Sequence, residues 1–269
     1  MDYGVGVKIL LWNTRKNKIN SMISQIIQQE NADYISLVEY DDNLNELLAL
    51  LNQDGRVYMS YITIAADGMV ALGKIRQVKP GPHEKRYSIQ VVANDLIICC
   101  VHLSSKIFGN HEDKQLIEAR SIVDKLERFE KMSGICNTIV MGDFNANPYE
   151  KTCLDAGGFH ALPIRDVVKR ESRIISDVEF KMFYNPTWNL LGDFNYPPGT
   201  FYHNGNETNN PFWHLLDQVI IRPSLISRFN EKSLKIIHTV NEISITDVSG
   251  HPEKNYSDHF PIIFEIEDR

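Results

Sequence analysis

A carboxylate and an amide side chain follow an apolar run near the middle of the chain. The run at 138–141 ends in Gly142-Asp143-Phe144-Asn145, and Pro148 follows shortly afterwards. β-Branched residues favour a strand, and the proline prevents that strand from continuing. Asp143 and Asn145 stand two positions apart at the predicted strand end, so their side chains share one face. Such a pair can bind a hard cation, a water molecule or a phosphate oxygen.

A second motif lies near the C-terminal end of the sequence. Ser257-Asp258-His259 stands just before an apolar, β-like run at 260–266. It places a carboxylate next to an imidazole. Hard oxygen ligands and a titratable imidazole are the groups that a metal-assisted attack on a phosphate requires. The two motifs together therefore predict the cleavage of phosphate esters.

Four further segments share one pattern, a polar residue in or beside an apolar strand. The polar residues are Asn13, Glu39, His102 and Asp217. Taken alone, Asn13 could be a turn residue, Glu39 a solvated strand end and His102 a core histidine. Asp217 is harder to explain in this way, because a carboxylate within a hydrophobic strand needs a partner. Their occurrence together with the two motifs favours a catalytic site.

In order, spacing and residue type, these six segments resemble the endonuclease/exonuclease/phosphatase superfamily over residues 10–263. The resemblance implies a four-layer α/β sandwich, in which two packed mixed sheets are flanked by helices. It implies Glu39 as the principal ligand of Mg²⁺, with Asn13 and Asp258 close to the same cation. Mn²⁺ is the alternative ion.

The resemblance also implies a set of catalytic residues. Asp143 would position or deprotonate the attacking water, and Asn145 would hold that water or a phosphate oxygen. His259 would pair with the phosphate or act as a base, oriented by the carboxylate of Asp217. His102 would lie across the site, where pancreatic-type deoxyribonucleases and neutral sphingomyelinases use a histidine to assist catalysis.

Two departures bear on the branch of the family. Arg15 stands two positions after Asn13, where many abasic-site enzymes carry an acidic residue. The Asn-x-Arg order is closer to the pancreatic-type deoxyribonucleases, and Arg15 could contact a phosphate. Inositol polyphosphate phosphatases typically place an arginine directly after Gly-Asp-x-Asn, whereas this chain has Ala146. Both the abasic-site and the inositol-phosphatase branches are therefore disfavoured.

The composition is that of a globular domain with a sizeable core. The chain has 269 residues, of which 43% are hydrophobic and 23% charged, and no linker or charge run divides it. We therefore predict a single domain over 1–269. No apolar run reaches the length of a membrane span, and the N-terminal residues lack a secretory signal, which predicts a cytoplasmic location for a complete chain. The four cysteines have no metal-binding or redox spacing, so reduced thiols are expected.

Strand-like runs alternate with amphipathic stretches along the sequence. Strands are predicted at 7–12, 34–38, 57–64, 69–75, 86–93, 96–103, 137–141, 214–221, 234–240 and 260–266, and helices at 19–30, 41–51 and 112–131. This mixture of helical crossovers and hairpins is typical of sheets covered by helices.

One segment departs from this alternation. Residues 183–213 are dense in Asn, Pro, Gly and aromatic side chains, which predicts a long loop. Trp188 is its candidate substrate contact, with the alternative that the aromatics only pack the loop onto the body. The loop repeats the earlier motif as Gly192-Asp193-Phe194-Asn195, but no strand precedes this copy, so we assign it to the loop.

Three functions are compatible with these residues. The first, which we prefer on the base rates of the family that the chain resembles, is a magnesium-dependent nuclease acting on DNA or RNA. The second, a phosphoesterase for a small molecule or lipid head group, is favoured by the net charge of −7, because nucleic-acid binders are usually basic. The third is a catalytically silent interaction module, disfavoured because every motif position holds a chemically competent residue. The sequence indicates no obligate protein partner.

Overall fold

The computed structural model describes residues 6–61, 68–93, 95–106 and 112–268. Its strands are β1 (Val7–Asn13), β2 (Tyr34–Val38), β3 (Met59–Ser60), β4 (Val70–Gly73), β5 (Val78–Glu84), β6 (Tyr87–Val92), β7 (Leu96–His102), β8 (Thr138–Asp143), β9 (Ala161–Leu162), β10 (Ser172–Ile175), β11 (Val178–Lys181), β12 (Phe183–Tyr184), β13 (Phe201–Tyr202), β14 (Trp213–His214), β15 (Asp217–Ile221), β16 (Phe229–Ile236), β17 (Thr239–Val240), β18 (Ile243–Ser244) and β19 (Ile262–Ile266). Its α-helices are α1 (Asn20–Glu30), α2 (Leu44–Leu51), α3 (Glu112–Ser133), α4 (Lys151–Leu154) and α5 (Arg165–Val168), with 3-10 helices at Pro186–Leu190 and Pro223–Leu225.

The chain divides into two compact units. The first unit comprises the described residues of Met1–Arg76, Leu190–Asp217 and Arg228–Arg269, and the second comprises those of Gln77–Asn189 and Gln218–Ser227. The single domain over 1–269 stays a prediction.

The first unit is built on a mixed sheet in the order β16-β19-β1-β2-β4-β3. Its two central strands, β1 and β2, are parallel, and Asn13 lies opposite Val38 in their register. Helix α1 connects them, and its apolar residues Met22, Ile23, Ile26 and Ile27 are buried. Because the carboxyl ends of parallel strands meet at one edge of a sheet, Asn13 and the residue after Val38 emerge together.

The second unit repeats this arrangement on a sheet in the order β5-β6-β7-β8-β15-β12-β9. Strands β7 and β8 are parallel, with His102 opposite Asp143. Helix α3 connects these strands and contributes Ala119, Ile122 and Leu126 to the buried core. The crossover therefore delivers an imidazole and a carboxylate to the same edge.

Most of the differences from the predicted elements have a local cause. Strand β5 was not predicted because it contains Pro80 and Pro82, which an edge strand tolerates. The predicted strand at 214–221 is interrupted, so Asp217 opens β15 instead of lying inside a longer strand. Helix α2 begins later than predicted, because the Asn43 side chain accepts hydrogen bonds from the first-turn amides and caps it.

Residues 62–64 of the strand predicted at 57–64 fall outside the described residues. The 183–213 segment contains β12, one 3-10 helix, β13 and β14, joined by bends. Its repeated motif lies in one of these bends with Phe194 fully exposed, as predicted for the loop copy.

The helices and the cysteines also bear on the sequence-based expectations. The described helices include none whose length and apolarity would let it cross a membrane. The four cysteines are free thiols, and Cys99, Cys100 and Cys153 are buried.

Candidate active site

The turn after β1 holds Asn13 and Glu39 in a fixed relation. The Thr14 amide donates to the Val38 carbonyl at 2.8 Å, and the Thr14 hydroxyl donates to the Glu39 carbonyl at 2.9 Å. The Asn13 side-chain oxygen accepts from the Arg15 amide at 3.0 Å. These bonds tie the end of β1 to the end of β2. They place Asn13 and Glu39 at neighbouring strand ends.

The backbone at this edge is strained. Arg15, Lys16 and Glu39 have φ angles of 52°, 59° and 51°, in the left-handed region that favours glycine. Each such residue costs roughly 1–3 kcal/mol and persists only where the surrounding structure enforces it. Strain of this kind concentrates at functional sites, which agrees with the predicted role of Glu39.

The Ser257-Asp258-His259 segment is anchored to the same strand end. The Ser257 hydroxyl donates to the Asn13 carbonyl at 2.7 Å and accepts from the His259 amide at 3.1 Å. The Trp12 indole donates to the His259 carbonyl at 2.8 Å. The serine of the motif is therefore a structural clamp that fixes where Asp258 and His259 leave the backbone.

His259 and Asp217 form a buried pair. The distance from Nδ1 of His259 to Oδ2 of Asp217 is 2.7 Å, and their side chains are 7% and 0% exposed. With the carboxylate ionised, Nδ1 carries the proton and donates to Asp217, which leaves Nε2 as the basic nitrogen. The Phe201 ring lies 4.9 Å from the imidazole, centroid to centroid. The pair is the arrangement that a histidine base requires.

Asp258 forms an ion pair with the Arg15 side chain. Its Oδ2 lies 3.2 Å from Nε of Arg15, and both side chains are partly exposed. Arg15 also donates to the Lys254 carbonyl at 3.3 Å. Arg15 therefore balances one of the carboxylates that the sequence predicts as a metal ligand.

The second unit holds the other predicted catalytic residues. Asp143 ends β8 and is buried; its Oδ1 accepts from the Asn145 amide at 2.8 Å, and its Oδ2 from the Asn145 side chain at 3.1 Å. The Asn145 side chain also donates to the Leu103 carbonyl at 3.1 Å. A Cβ at Gly142 would overlap the Val101 carbonyl oxygen, so the motif requires glycine there. The glycine of the Gly-Asp-x-Asn motif thus avoids a clash with the neighbouring strand, and the asparagine fixes the aspartate through two hydrogen bonds.

His102 lies beside this aspartate. Its Nε2 is 3.9 Å from Oδ2 of Asp143, and both side chains are largely buried. At this distance the two groups attract when the histidine is protonated, without forming a short hydrogen bond.

Two glutamines that sequence reasoning missed support the second unit's residues. Gln115 of α3 donates to the Ser104 and Asn145 carbonyls, and Gln218 donates to the Ala146 carbonyl at 2.6 Å. Both are fully buried. A glutamine on the buried face of a predicted helix was the available signal for Gln115, since a buried amide needs partners.

Two side chains of the second unit, Cys153 and Lys106, have shifted pKa values. Burial raises the pKa of the Cys153 thiol to about 12, so this cysteine is a packed thiol and not a nucleophile. Burial lowers the pKa of Lys106, which is ion-paired with Glu150. Neither group belongs to the predicted catalytic set.

The predicted site residues therefore fall into two clusters. Asn13, Arg15, Glu39, Asp217, Asp258 and His259 form the first cluster, in the first unit, and His102, Asp143 and Asn145 form the second cluster, in the second unit. Trp188 lies in the 3-10 helix Pro186–Leu190 of the second unit and is partly buried. Its contact with substrate stays a prediction.

The first cluster suits a hard divalent cation. Asn13, Glu39 and Asp258 offer amide and carboxylate oxygens, the donor type that Mg²⁺ and Mn²⁺ prefer. In addition, the Oδ1 atom of Asp217 is buried and has no hydrogen-bond partner among the described residues. A buried, unsatisfied carboxylate oxygen is costly, and a nearby cation would offset that cost.

Comparison with solved structures shows the fold. The chain is similar to an AP endonuclease from Archaeoglobus fulgidus, with 12% identity, a TM-score of 0.56, and coverage of 98% of this chain and 100% of that one. It is also similar to the 3' phosphatase NExo from Neisseria bound to a product DNA hairpin, with 13% identity, a TM-score of 0.56, and coverage of 97% and 100%. A third is TDP2 from D. rerio complexed with a single strand DNA product, with 14% identity, a TM-score of 0.56, and coverage of 98% and 99%.

These likenesses confirm the predicted α/β sandwich class. They are consistent in fold with the family that the sequence resembles. No protein-family model and no curated protein matches the sequence. At 12–14% identity the likeness carries the fold alone.

Proposed function

We propose that this chain hydrolyses phosphodiester bonds with the help of a divalent cation. The observation that carries the proposal is the buried Asp217–His259 pair at 2.7 Å, in a segment clamped by Ser257 to the strand end that bears Asn13. A fixed imidazole base beside a set of hard oxygen donors suits attack by water on a phosphate.

His259 is the proposed acid–base group. Asp217 fixes its tautomer and stabilises the imidazolium that forms when Nε2 takes a proton. General acid–base groups of this kind contribute about 10²- to 10⁴-fold to the rate. Burial of the pair strengthens the interaction, because the surrounding dielectric is low.

Glu39, Asn13 and Asp258 are the residues proposed to hold the cation. A divalent cation bound there would offset the negative charge that develops on the phosphate oxygens. Mg²⁺ is the proposed ion and Mn²⁺ the alternative. Arg15 would contact a phosphate oxygen of the substrate.

The second cluster is proposed to serve the same reaction. Asp143, held by two hydrogen bonds from Asn145, would orient the attacking water or take its proton. Asn145 would hold that water or a phosphate oxygen. His102, next to Asp143, would donate a proton to the leaving alkoxide, since two imidazoles can act as base and acid at neutral pH.

A nucleic acid is the proposed substrate. Two of the similar structures hold DNA products, a DNA hairpin in NExo and single strand DNA in TDP2. The net charge of −7 is the observation that favours the alternative, a small or lipid head-group phosphoester.

The proposal is tested by incubating the purified chain and Mg²⁺ with plasmid DNA, single-stranded DNA, RNA and bis-p-nitrophenyl phosphate. Glu39→Gln and Asp143→Asn keep the shape of the side chain while removing its charge, and His259→Gln removes the basic nitrogen while keeping a polar amide. We expect each to lower kcat about 10²-fold or more. Glu46→Gln and His83→Gln are the matched controls, because both side chains are exposed and lie outside the clusters.

The pattern of substrates decides between the two candidates. Cleavage of a polynucleotide that all three variants lose supports the nuclease. Turnover of the small ester alone, again lost in the variants, supports the phosphoesterase. Activity that the three variants retain would overturn the proposed site.

A further inference from the structure

An aromatic surface lies on the β13–β14 hairpin of the first unit. We call the rings of Tyr202, Phe212, Trp213 and His251 the aromatic face. Tyr202 and Trp213 are opposite each other in the antiparallel pair, and their ring centroids are 5.3 Å apart. All four side chains are partly or largely exposed.

The face is pre-ordered. The Tyr202 and His251 rings are stacked with centroids 3.6 Å apart and an interplanar angle of 13°. Asp247 also holds His251, with its Oδ2 atom 3.3 Å from Nδ1 of the imidazole. Trp213 stacks on the buried Phe260 at 6.4 Å. The rings thus lose little conformational entropy when a flat ligand binds.

Phe212 is the residue that packing alone does not explain. Its φ angle is 65°, a conformation that is strained for a bulky residue, and 47% of it is exposed. A hydrogen bond from its amide to the Asn210 side chain at 2.9 Å enforces this conformation. Strained backbone that displays a large apolar ring to solvent suggests a binding role.

The aromatic face is continuous with the proposed catalytic histidine. Phe201, next to Tyr202, forms a backbone bridge with His259, and its ring lies 4.9 Å from the imidazole. The Phe260 amide donates to the Thr200 carbonyl at 2.8 Å. The same hairpin therefore positions both the histidine and the rings.

Building on the proposed function, we propose that the aromatic face binds unpaired nucleobases and makes the chain selective for single-stranded nucleic acid. Every base has a π-face, so stacking on aromatic rings tolerates any sequence. A paired base within a duplex has both faces covered by its neighbours and can stack only after leaving the helix. Small phosphoesters that lack a base gain nothing from the rings.

Stacking also suits the charge of the chain. A protein with a net charge of −7 has little general attraction for a polyanion, whereas stacking is a neutral interaction. Asp247 is paired with His251 of the face, and Glu207 is paired with His203, the residue after Tyr202.

The test uses the full chain and a short single-stranded DNA that contains 2-aminopurine, whose fluorescence is quenched when it stacks. Binding is measured in EDTA, so that no turnover is required. We expect quenching by the unaltered chain, and dissociation constants about tenfold larger for Phe212→Asn and Tyr202→Leu. The same DNA annealed to its complement is expected to bind more weakly than the single strand.

Phe212→Asn separates binding from folding. Asparagine tolerates the left-handed conformation, so this variant is expected to keep or raise Tm while it loses stacking. A purely structural role for Phe212 would lower Tm and leave binding unchanged. Phe194→Asn is the matched control, since Phe194 is a fully exposed aromatic residue of the same unit outside the face.

A kinetic measurement links the face to the reaction. The ratio of kcat/KM on single-stranded DNA to that on the same DNA annealed to its complement is expected to fall about tenfold in Phe212→Asn and Tyr202→Leu, because paired bases gain nothing from the rings. Wild-type affinity in both variants, or tighter binding of the duplex, would overturn the inference. Absence of all turnover by the unaltered chain would overturn the proposed function instead, and the quenching result would still decide the role of the face.

Discussion

At the scale of single residues, burial distinguishes one histidine–carboxylate pair from the others. The first unit contains three such pairs, Asp217–His259, Asp247–His251 and Glu207–His203, among the residues that the structure describes. Only the first is almost fully enclosed and shorter than 3 Å. The sequence already singled out Asp217, because a carboxylate flanked by apolar strand residues needs a partner.

Arg15 provides a residue-scale prediction about the cation. Its guanidinium lies 3.2 Å from the Asp258 carboxylate, and a cation bound to Asp258 would compete with it. We expect Arg15→Gln to tighten Mn²⁺ binding about two- to fivefold, the range of a partly exposed ion pair. Isothermal titration calorimetry of the full chain with Mn²⁺ measures this change.

The control for Arg15 is Lys18→Gln, which removes a cation from the exposed Lys18–Asp41 pair nearby in sequence. It is expected to leave Mn²⁺ affinity unaltered. Weaker Mn²⁺ binding by Arg15→Gln would show that the arginine shapes the site instead of competing for it.

At the scale of elements, two parallel crossovers present the candidate site residues. In each unit, a helix connects two parallel strands whose carboxyl ends bear the polar side chains: β1-α1-β2 presents Asn13 and Glu39, and β7-α3-β8 presents His102 and Asp143. These strands and helices were predicted nearly to the residue, because their apolar periodicity is strong.

Elements that depend on distant partners were harder to predict. Strand β5 runs through two prolines and is a strand because β6 pairs with it at the sheet edge. The residues of β10 and β11 are mostly exposed and form a separate two-stranded sheet, so they carry no core pattern. The buried glutamine contacts behind the second cluster also depend on tertiary packing. Residue types alone do not indicate such contacts.

Gln115 of α3 gives an element-scale prediction about stability. Replacement by leucine would leave the Ser104 and Asn145 carbonyls without the amide donor that now satisfies them. We expect Gln115→Leu to lower the free energy of unfolding by about 1–3 kcal/mol, the cost of a buried polar group left unpaired. Urea denaturation followed by circular dichroism measures it.

Ile117→Ala is the control on the same helix. Ile117 is largely exposed, so its truncation should change the free energy of unfolding by less than about 0.5 kcal/mol. Equal stability of Gln115→Leu and the unaltered chain would mean that these carbonyls find other donors.

At the scale of the whole molecule, His160 predicts how stability depends on pH. Burial, with Arg173 nearby, lowers the pKa of His160 from its ordinary value of 6.5, and its Nδ1 donates to the Lys181 carbonyl. The unfolded chain therefore binds a proton more readily than the folded one. The part of the folding stability that depends on neutral His160 is complete above about pH 6.5 and is lost as the pH falls below that value.

His160→Gln keeps an amide donor for Lys181 but cannot be protonated. We expect Tm to fall less between pH 7 and pH 5 in this variant than in the unaltered chain. His83→Gln, at an exposed histidine, should reproduce the unaltered pH dependence. Parallel curves for His160→Gln and the unaltered chain would assign the acid sensitivity to other groups.

The net charge leads to a prediction about salt. Polyanion binding weakens with salt in proportion to the number of phosphates neutralised, with a slope of about −0.7 per contact for single strands. A chain of net charge −7 that binds through stacked bases should neutralise few phosphates. If two are contacted, the KM for single-stranded DNA should rise only about sevenfold between about 50 and 200 mM KCl.

A loss of roughly 10³-fold or more over that range would instead indicate a basic surface that contacts many phosphates. The aromatic face would then be secondary, because an electrostatic contact of that size would dominate binding. The KM of the Phe212→Asn variant for single-stranded DNA should exceed that of the unaltered chain at every salt concentration. The slope of log KM against log salt concentration should be the same, since a neutral interaction releases no counterions. A steeper or shallower slope in that variant would mean that Phe212 acts on the charged contacts and not on the bases.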